Sequence, residues 1–248
     1  MFACYMDEAG GDQAGSTVVC GWVSTVALWE QFEVDWKLLL ASYKIPYLHM
    51  KEFSQSKGPF RKWKDLDGVR DRFMAEGIDI IKSRTKSWLV CFVHHKIFDL
   101  IDAKYKLVES IPSPYALAGR ACVAQVDAWG REESKTIEYV FEDGGPDKAG
   151  LLKAMNIPVR LPKPIFRPGR DIMDRKAGLR RGTVQLQAAD LLAYELRKHR
   201  AEFAKRSGRP VRKSLYAVID MMPKLLMASP NQHDLVDLCR LEQLQLRQ

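Results

Sequence analysis

Residues 1–23, MFACYMDEAGGDQAGSTVVCGWV, decide the fold class. Two apolar, β-rich runs, 1–6 and 17–23, are separated by the acidic pair Asp7-Glu8 and by Gly10-Gly11, which let the chain reverse. The segment reads as a β-hairpin, with Asp7 directly after the first strand. Residues 88–93 (WLVCFV) form the continuous apolar run that a strand buried on both faces needs. Residues 137–141 (IEYVF) alternate and stop at Glu142-Asp143-Gly144-Gly145. A short strand is expected at 164–167, inside an exposed Pro- and Arg-rich loop over 158–168.

Helices fill the intervals. Leu28, Phe32, Trp36, Leu39, Leu40 and Tyr43 recur at helical spacing, as do Leu66, Val69, Phe73 and Ile80 behind Asp65 as a cap. Residues 48–53 (LHMKEF) read as a strand end or loop. After the buried strand come two helical stretches, the second entered through Ser113-Pro114. Over 183–206, Val184, Ala188, Leu192, Leu196, His199 and Phe203 form one stripe. Beyond Gly208-Arg209-Pro210, the series Leu235, Leu238, Leu241 and Leu244 predicts helix packed on the body. The expected architecture is α/β: a mixed sheet flanked by helices over 1–206, with a C-terminal helical extension over 207–248.

Composition narrows the function. A chain that is 46% hydrophobic has the material for a packed core, which excludes a disordered class. The net charge of +8 is uneven: residues 160–213 hold 16 Lys and Arg against five acids, a local +11, so the remainder sums to −3. Such a block suits a polyanion, nucleic acid above all, through phosphate neutralisation and counterion release. Five cysteines without a CxxC pair read as core thiols in a reducing compartment. No basic segment precedes Asp7, and the longest uncharged run, 13–29, is too polar to span a membrane, so a cytoplasmic protein without membrane contact is expected.

Four acids stand where charge is expensive. Burying an unpartnered carboxylate costs several kcal/mol in order of magnitude, so such groups take up a proton, pair with a base or bind a cation. Asp7 shares a strand face with Tyr5 and Ala3 while Glu8 points the other way; Asp143 shares the face of Ile137, Tyr139 and Phe141 while Glu142 falls with Glu138. Asp190 is the only charge within 184–194 (VQLQAADLLAY). Glu52 beside His49 gains weight only from the others. Converging carboxylates suit a hard divalent cation such as Mg²⁺. The chain has no GxxxxGK[ST], GxGxxG, GxSxG or HExxH. The His94-His95 pair reads as structural.

In order, YMDEAGG, HMKEF, FEDGG and VQLQAADLLAYELR resemble the domain-of-unknown-function 3800 family of bacteria and phages. Its members open with a strand ending Asp-Glu-Ser-Gly, close with a helix carrying Leu-Gln-x-Ala-Asp, and are regarded as ribonuclease H-like. The resemblance runs to about residue 200, with Ala9 where Ser is usual. It implies Asp7, Glu52, Asp143 and Asp190 as catalytic and metal-binding acids, with Glu8, His49 and Glu142 as secondary candidates. Glu142 competes with Asp143, and His49 could assist Glu52. Implied with them is hydrolysis of RNA or DNA phosphodiesters by a pair of Mg²⁺ or Mn²⁺ ions. The other expectation is a non-catalytic nucleic-acid-binding or partner-binding protein of a phage-defence or mobile-element system, with structural carboxylates. Nothing in the sequence indicates an oligomeric state.

Overall fold

A computed structural model describes residues 1–9, 15–174, 178–204, 213–220 and 224–245. Strands β1 (Phe2–Ala9) and β2 (Ser16–Thr25) pair antiparallel, from Phe2 opposite Thr25 to Ala9 opposite Val18. The strand pattern thus continues through Asp7 and Glu8, and both acids lie inside β1 rather than after it. Helix α1 (Val26–Ser42) follows at once, capped by the Thr25 hydroxyl, which accepts the Leu28 N–H.

The stretch expected as a strand end is a short helix, α2 (Met50–Ser54), because Met50 and Phe53, three apart, bury on one side. Helix α3 (Asp67–Arg84) starts behind Leu66, and Asp65 is no cap; it sits in the left-handed region with φ of 64°. Strand β3 (Ser87–His94) pairs antiparallel with β2. Helix α4 (His95–Tyr105) and helix α5 (Pro114–Glu132) follow, the latter with the Ser113 hydroxyl accepting the Ala116 N–H. Strand β4 (Ile137–Glu142) lies parallel to β1, and after α6 (Lys148–Ala154) strand β5 (Ile165–Arg167) lies parallel to β4. A separate ribbon, β6 (Ile172–Asp174) with β7 (Gly178–Arg180), leads to the long helix α7 (Gln185–Ala204).

The C-terminal extension is not all helical. Between α8 (Lys213–Ile219) and α9 (Gln232–Gln245), strand β8 (Lys224–Ala228) joins the sheet parallel to β3. A five-residue run carries little local signal; the open edge of β3 supplies the hydrogen bonds that make it a strand. The expected boundary at 206/207 lies outside the described residues. The sheet order is β5-β4-β1-β2-β3-β8, mixed, with β2 alone running against the others.

Helices cover both faces. On one, Trp22, Trp29, Phe32, Trp36 and Phe73 pack with Leu191 and Leu192; on the other, Cys4 and Met6 pack with Phe98, Val123, Phe141 and Leu151. Burying an indole removes roughly 200 Å² from water, on the order of 5 kcal/mol before entropy. Each indole N–H on the first face also needs an acceptor: Trp22 donates to the Ala188 carbonyl, Trp29 to that of Ala3, and Trp36 to Gln187 Oε1. These bonds lock α1 and α7 onto the central strands. All five cysteines are buried. Among the described residues, no helix is long and apolar enough to cross a membrane.

Candidate functional site

From β1 the chain moves to β2 and β3 on one side, then returns to β4 and β5 on the other. The carboxyl ends of β1 and β4 therefore flank a topological switch point, where α/β sheets leave a crevice for ligands. Met6 stands opposite Phe141 in the parallel register, so Asp7 and Glu142, one residue on, emerge side by side on the face covered by α7. Asp190, in the second turn of α7, meets them there.

The Asp7 and Glu142 carboxyls stand close enough for the charge of Glu142 to raise Asp7. Glu142 accepts the Gly169 N–H. Asp190 Oδ2 accepts the Met50 N–H at 2.6 Å, and Asp7 Oδ1 accepts the Glu8 N–H at 2.7 Å. These donors favour the charged forms, but burial outweighs them. Burial, then the charges of Glu142 and Asp190, push Asp7 well above the carboxylate range. Burial raises Glu142 and pushes Asp190 up to about 6. Among the described residues no cationic side chain bonds to any of the three; His49 and Arg170 act on Glu142 and Asp190 only through space. With His49, Lys51 and Arg197 the three acids line a cleft of about 320 Å³.

Gly169 makes this approach possible. A Cβ there would stand 2.9 Å from Glu142 Oε1, inside contact distance. Gln187, one turn before Asp190, holds the surrounding loops: its Oε1 accepts the N–H groups of Leu48 and Trp36, and its Nε2 donates to the Gly169 carbonyl. Sequence reasoning missed Gly169, Gln187 and the Met50 N–H as site elements. Only Gln187 left a trace, as an uncharged polar residue on the Asp190 side of an apolar helix.

The structure does not bring Asp143 or Glu52 into the cluster. Asp143 has the parity of Tyr139 and Phe141, whose side chains enter the opposite core, so the acid that joins Asp7 is Glu142. Beyond the strand, Asp143 accepts Arg180 Nη2 at 2.6 Å and Lys148 Nζ at 3.2 Å, and the Arg180 bond chiefly holds it below its usual range. It remains on the rim of the cleft, as does Glu8, which burial raises. Glu52 accepts the Tyr47 hydroxyl at 2.9 Å and Arg170 Nη1 at 3.0 Å. Burial pushes Glu52 up, but those two donors win and its acidity ends stronger than usual. His49 Nδ1 stands 3.4 Å from Glu52 Oε1 without a hydrogen bond. His94 meets Arg200, and His95 Nε2 lies 3.0 Å from the Thr17 hydroxyl.

Ion pairing also consumes part of the basic segment. Arg170 faces Glu52, Arg180 faces Asp143 and Arg181 faces Asp171. Arg175, Lys176, Lys205, Arg206, Arg209 and Arg212 lie outside the described residues. Among the described residues, no three Asp, Glu, His or Cys side chains stand ready as a metal cage. Comparisons with protein-family models, curated proteins and solved structures found no match to this chain.

Proposed function

We propose that this chain is a metal-dependent nuclease that hydrolyses phosphodiester bonds of RNA or DNA, with Asp7, Glu142 and Asp190 holding Mg²⁺ or Mn²⁺. One observation carries the reading: three half-buried carboxyls from three separate elements line one cleft at the switch point, and among the described residues no basic side chain is hydrogen-bonded to them. Leaving such a cluster without a counterion is costly, and natural sites keep it where a cation or proton is taken up. The donor set fits, since oxygen ligands from carboxylates are what hard divalent ions bind. A mixed sheet with one reversed strand, helices on both faces and acids at adjacent strand ends supports a ribonuclease H-like arrangement.

A bound divalent ion would supply positive charge that makes water a better nucleophile and offsets charge on the leaving oxygen. The chain supplies the rest. Asp7, Glu142 and Asp190 would hold the ion as carboxylates, each releasing to solvent the proton that burial favours. Lys51 and Arg197 at the cleft wall orient a phosphate beside the carboxylates. The test is cleavage of labelled single- and double-stranded RNA and DNA with Mg²⁺, Mn²⁺ or EDTA. Metal-dependent cleavage should fall at least about a hundredfold in Asp7→Asn, Glu142→Gln and Asp190→Asn. Variants as active as the wild type, or no cleavage of any substrate, would return the carboxylates to a structural role in a binding protein.

A further inference from the structure

Arg200 differs from six other arginines of the chain in what it touches. Arg84, Arg131, Arg170, Arg180, Arg181 and Arg240 each face a carboxylate. Buried Arg120 donates to the Ala154 and Val159 carbonyls. The half-buried Arg200 guanidinium instead stacks 4.8 Å from the Phe92 ring centroid, and its Nη2 stands 2.7 Å from His94 Nε2. A guanidinium only donates, so the imidazole nitrogen accepts and must be neutral. The contact fixes the cation's position, and among the described residues no carboxylate is paired with it. A partly desolvated cation held without an anion is an anion receptor already formed.

Its place in the fold says which anion. Asp7 is opposite Cys20, and His94 is opposite Ser16, four residues along β2 and one strand further across. At ~3.3 Å per residue and ~4.8 Å per strand, His94 lies roughly 16 Å from Asp7. Along α7, Arg200 is ten residues beyond Asp190, roughly 15 Å at 1.5 Å per residue. Arg197, on the cleft wall, stands between them. The two estimates agree that cations continue away from the carboxylates in one direction.

We propose that Arg200, fixed by His94 and Phe92, receives a backbone phosphate of a nucleic-acid strand a few nucleotides from the carboxylates, with Arg197 on the path between. The proposal rests on the nuclease reading for what the strand does at the carboxylates. The test measures binding in EDTA, so that nothing is cut, of fluorescent single-stranded DNA and RNA, each as a dinucleotide and as a dodecamer, across a salt series. Arg200→Gln should weaken dodecamer binding about tenfold and lower the slope of log affinity against log salt by about one, with the dinucleotide unchanged. Arg200→Lys, which keeps the charge, should keep most of the slope.

An unchanged dodecamer slope in a folded Arg200→Gln, equal weakening of both lengths, or no dodecamer binding by the wild type would overturn it. If Arg200→Gln does not fold, loss of the whole slope increment in a folded Arg200→Lys overturns it equally. Hydrolysis of bis(p-nitrophenyl) phosphate with Mn²⁺ separates the two readings. Arg200→Gln should leave that small diester's turnover at wild-type level, whereas a wild type that never hydrolyses any phosphodiester fails the nuclease reading alone, with the length and salt dependence still deciding Arg200.

Discussion

Asp190 sets the pH behaviour of the site. Its carboxyl titrates near 6 in the fold against 3.8 ordinarily, because burial penalises the charge. The folded state thus holds this proton more tightly than the unfolded one. The stability it contributes is fully present below about pH 3.8 and is lost as pH rises through about 6, a change on the order of 3 kcal/mol. Asp190→Asn has no such loss. In EDTA, the melting temperature of the wild type should fall relative to Asp190→Asn between pH 4 and 7, and a constant difference would contradict this account. A cation competes with the same proton, so stabilisation by millimolar Mn²⁺ should appear above about pH 6 and fade below it. At Gly169 the argument is steric: Gly169→Ala pushes a methyl against Glu142 Oε1, and calorimetric titration should show Mn²⁺ affinity down roughly tenfold or more.

Helix α7 is the element on which fold and site meet. Its apolar sides bury Leu186, Leu191, Leu192 and Ala193, while Gln187 and Asp190 on a third side tie down two loops. Gln187→Leu would strand the Leu48 and Trp36 N–H groups and the Gly169 carbonyl in the interior. At ~1–3 kcal/mol for each buried group left unpaired, urea unfolding should show a loss of about 4 kcal/mol. Metal affinity should fall with it, since Gly169 and Met50 supply main-chain donors to Glu142 and Asp190. Arg180 ties the ribbon of β6 and β7 to Asp143 at the sheet end, and both Met173 and Leu179 on it are exposed.

For the whole molecule, the C-terminal segment completes the sheet rather than decorating it. β8 covers the edge of β3, Leu215 and Val218 enter one core, and Leu235 and Cys239 enter the other. A chain ending at Ala204 would expose that edge and both apolar surfaces, and size-exclusion chromatography should show it as aggregate rather than monomer. The hairpin, the amphipathic helices and the buried strand were legible in the sequence, because period-2 and period-3.6 patterns are local consequences of one-sided burial. Asp7 and Asp190 were legible for a related reason: a charge in an apolar run breaks the pattern. The third acid was not. Extending alternation along β4 was sound, but which face carries the site depends on the register of β4 against β1, and that pairing places Glu142 beside Asp7. Glu52 likewise reads as a free loop carboxylate until the fold brings Arg170 and Tyr47 to it across long stretches of chain. The sequence by itself determined the elements and the two acids that interrupt apolar faces. Only the tertiary structure decided which acids stay unneutralised, because strand register and loop closure join residues whose separation along the chain hides their contact.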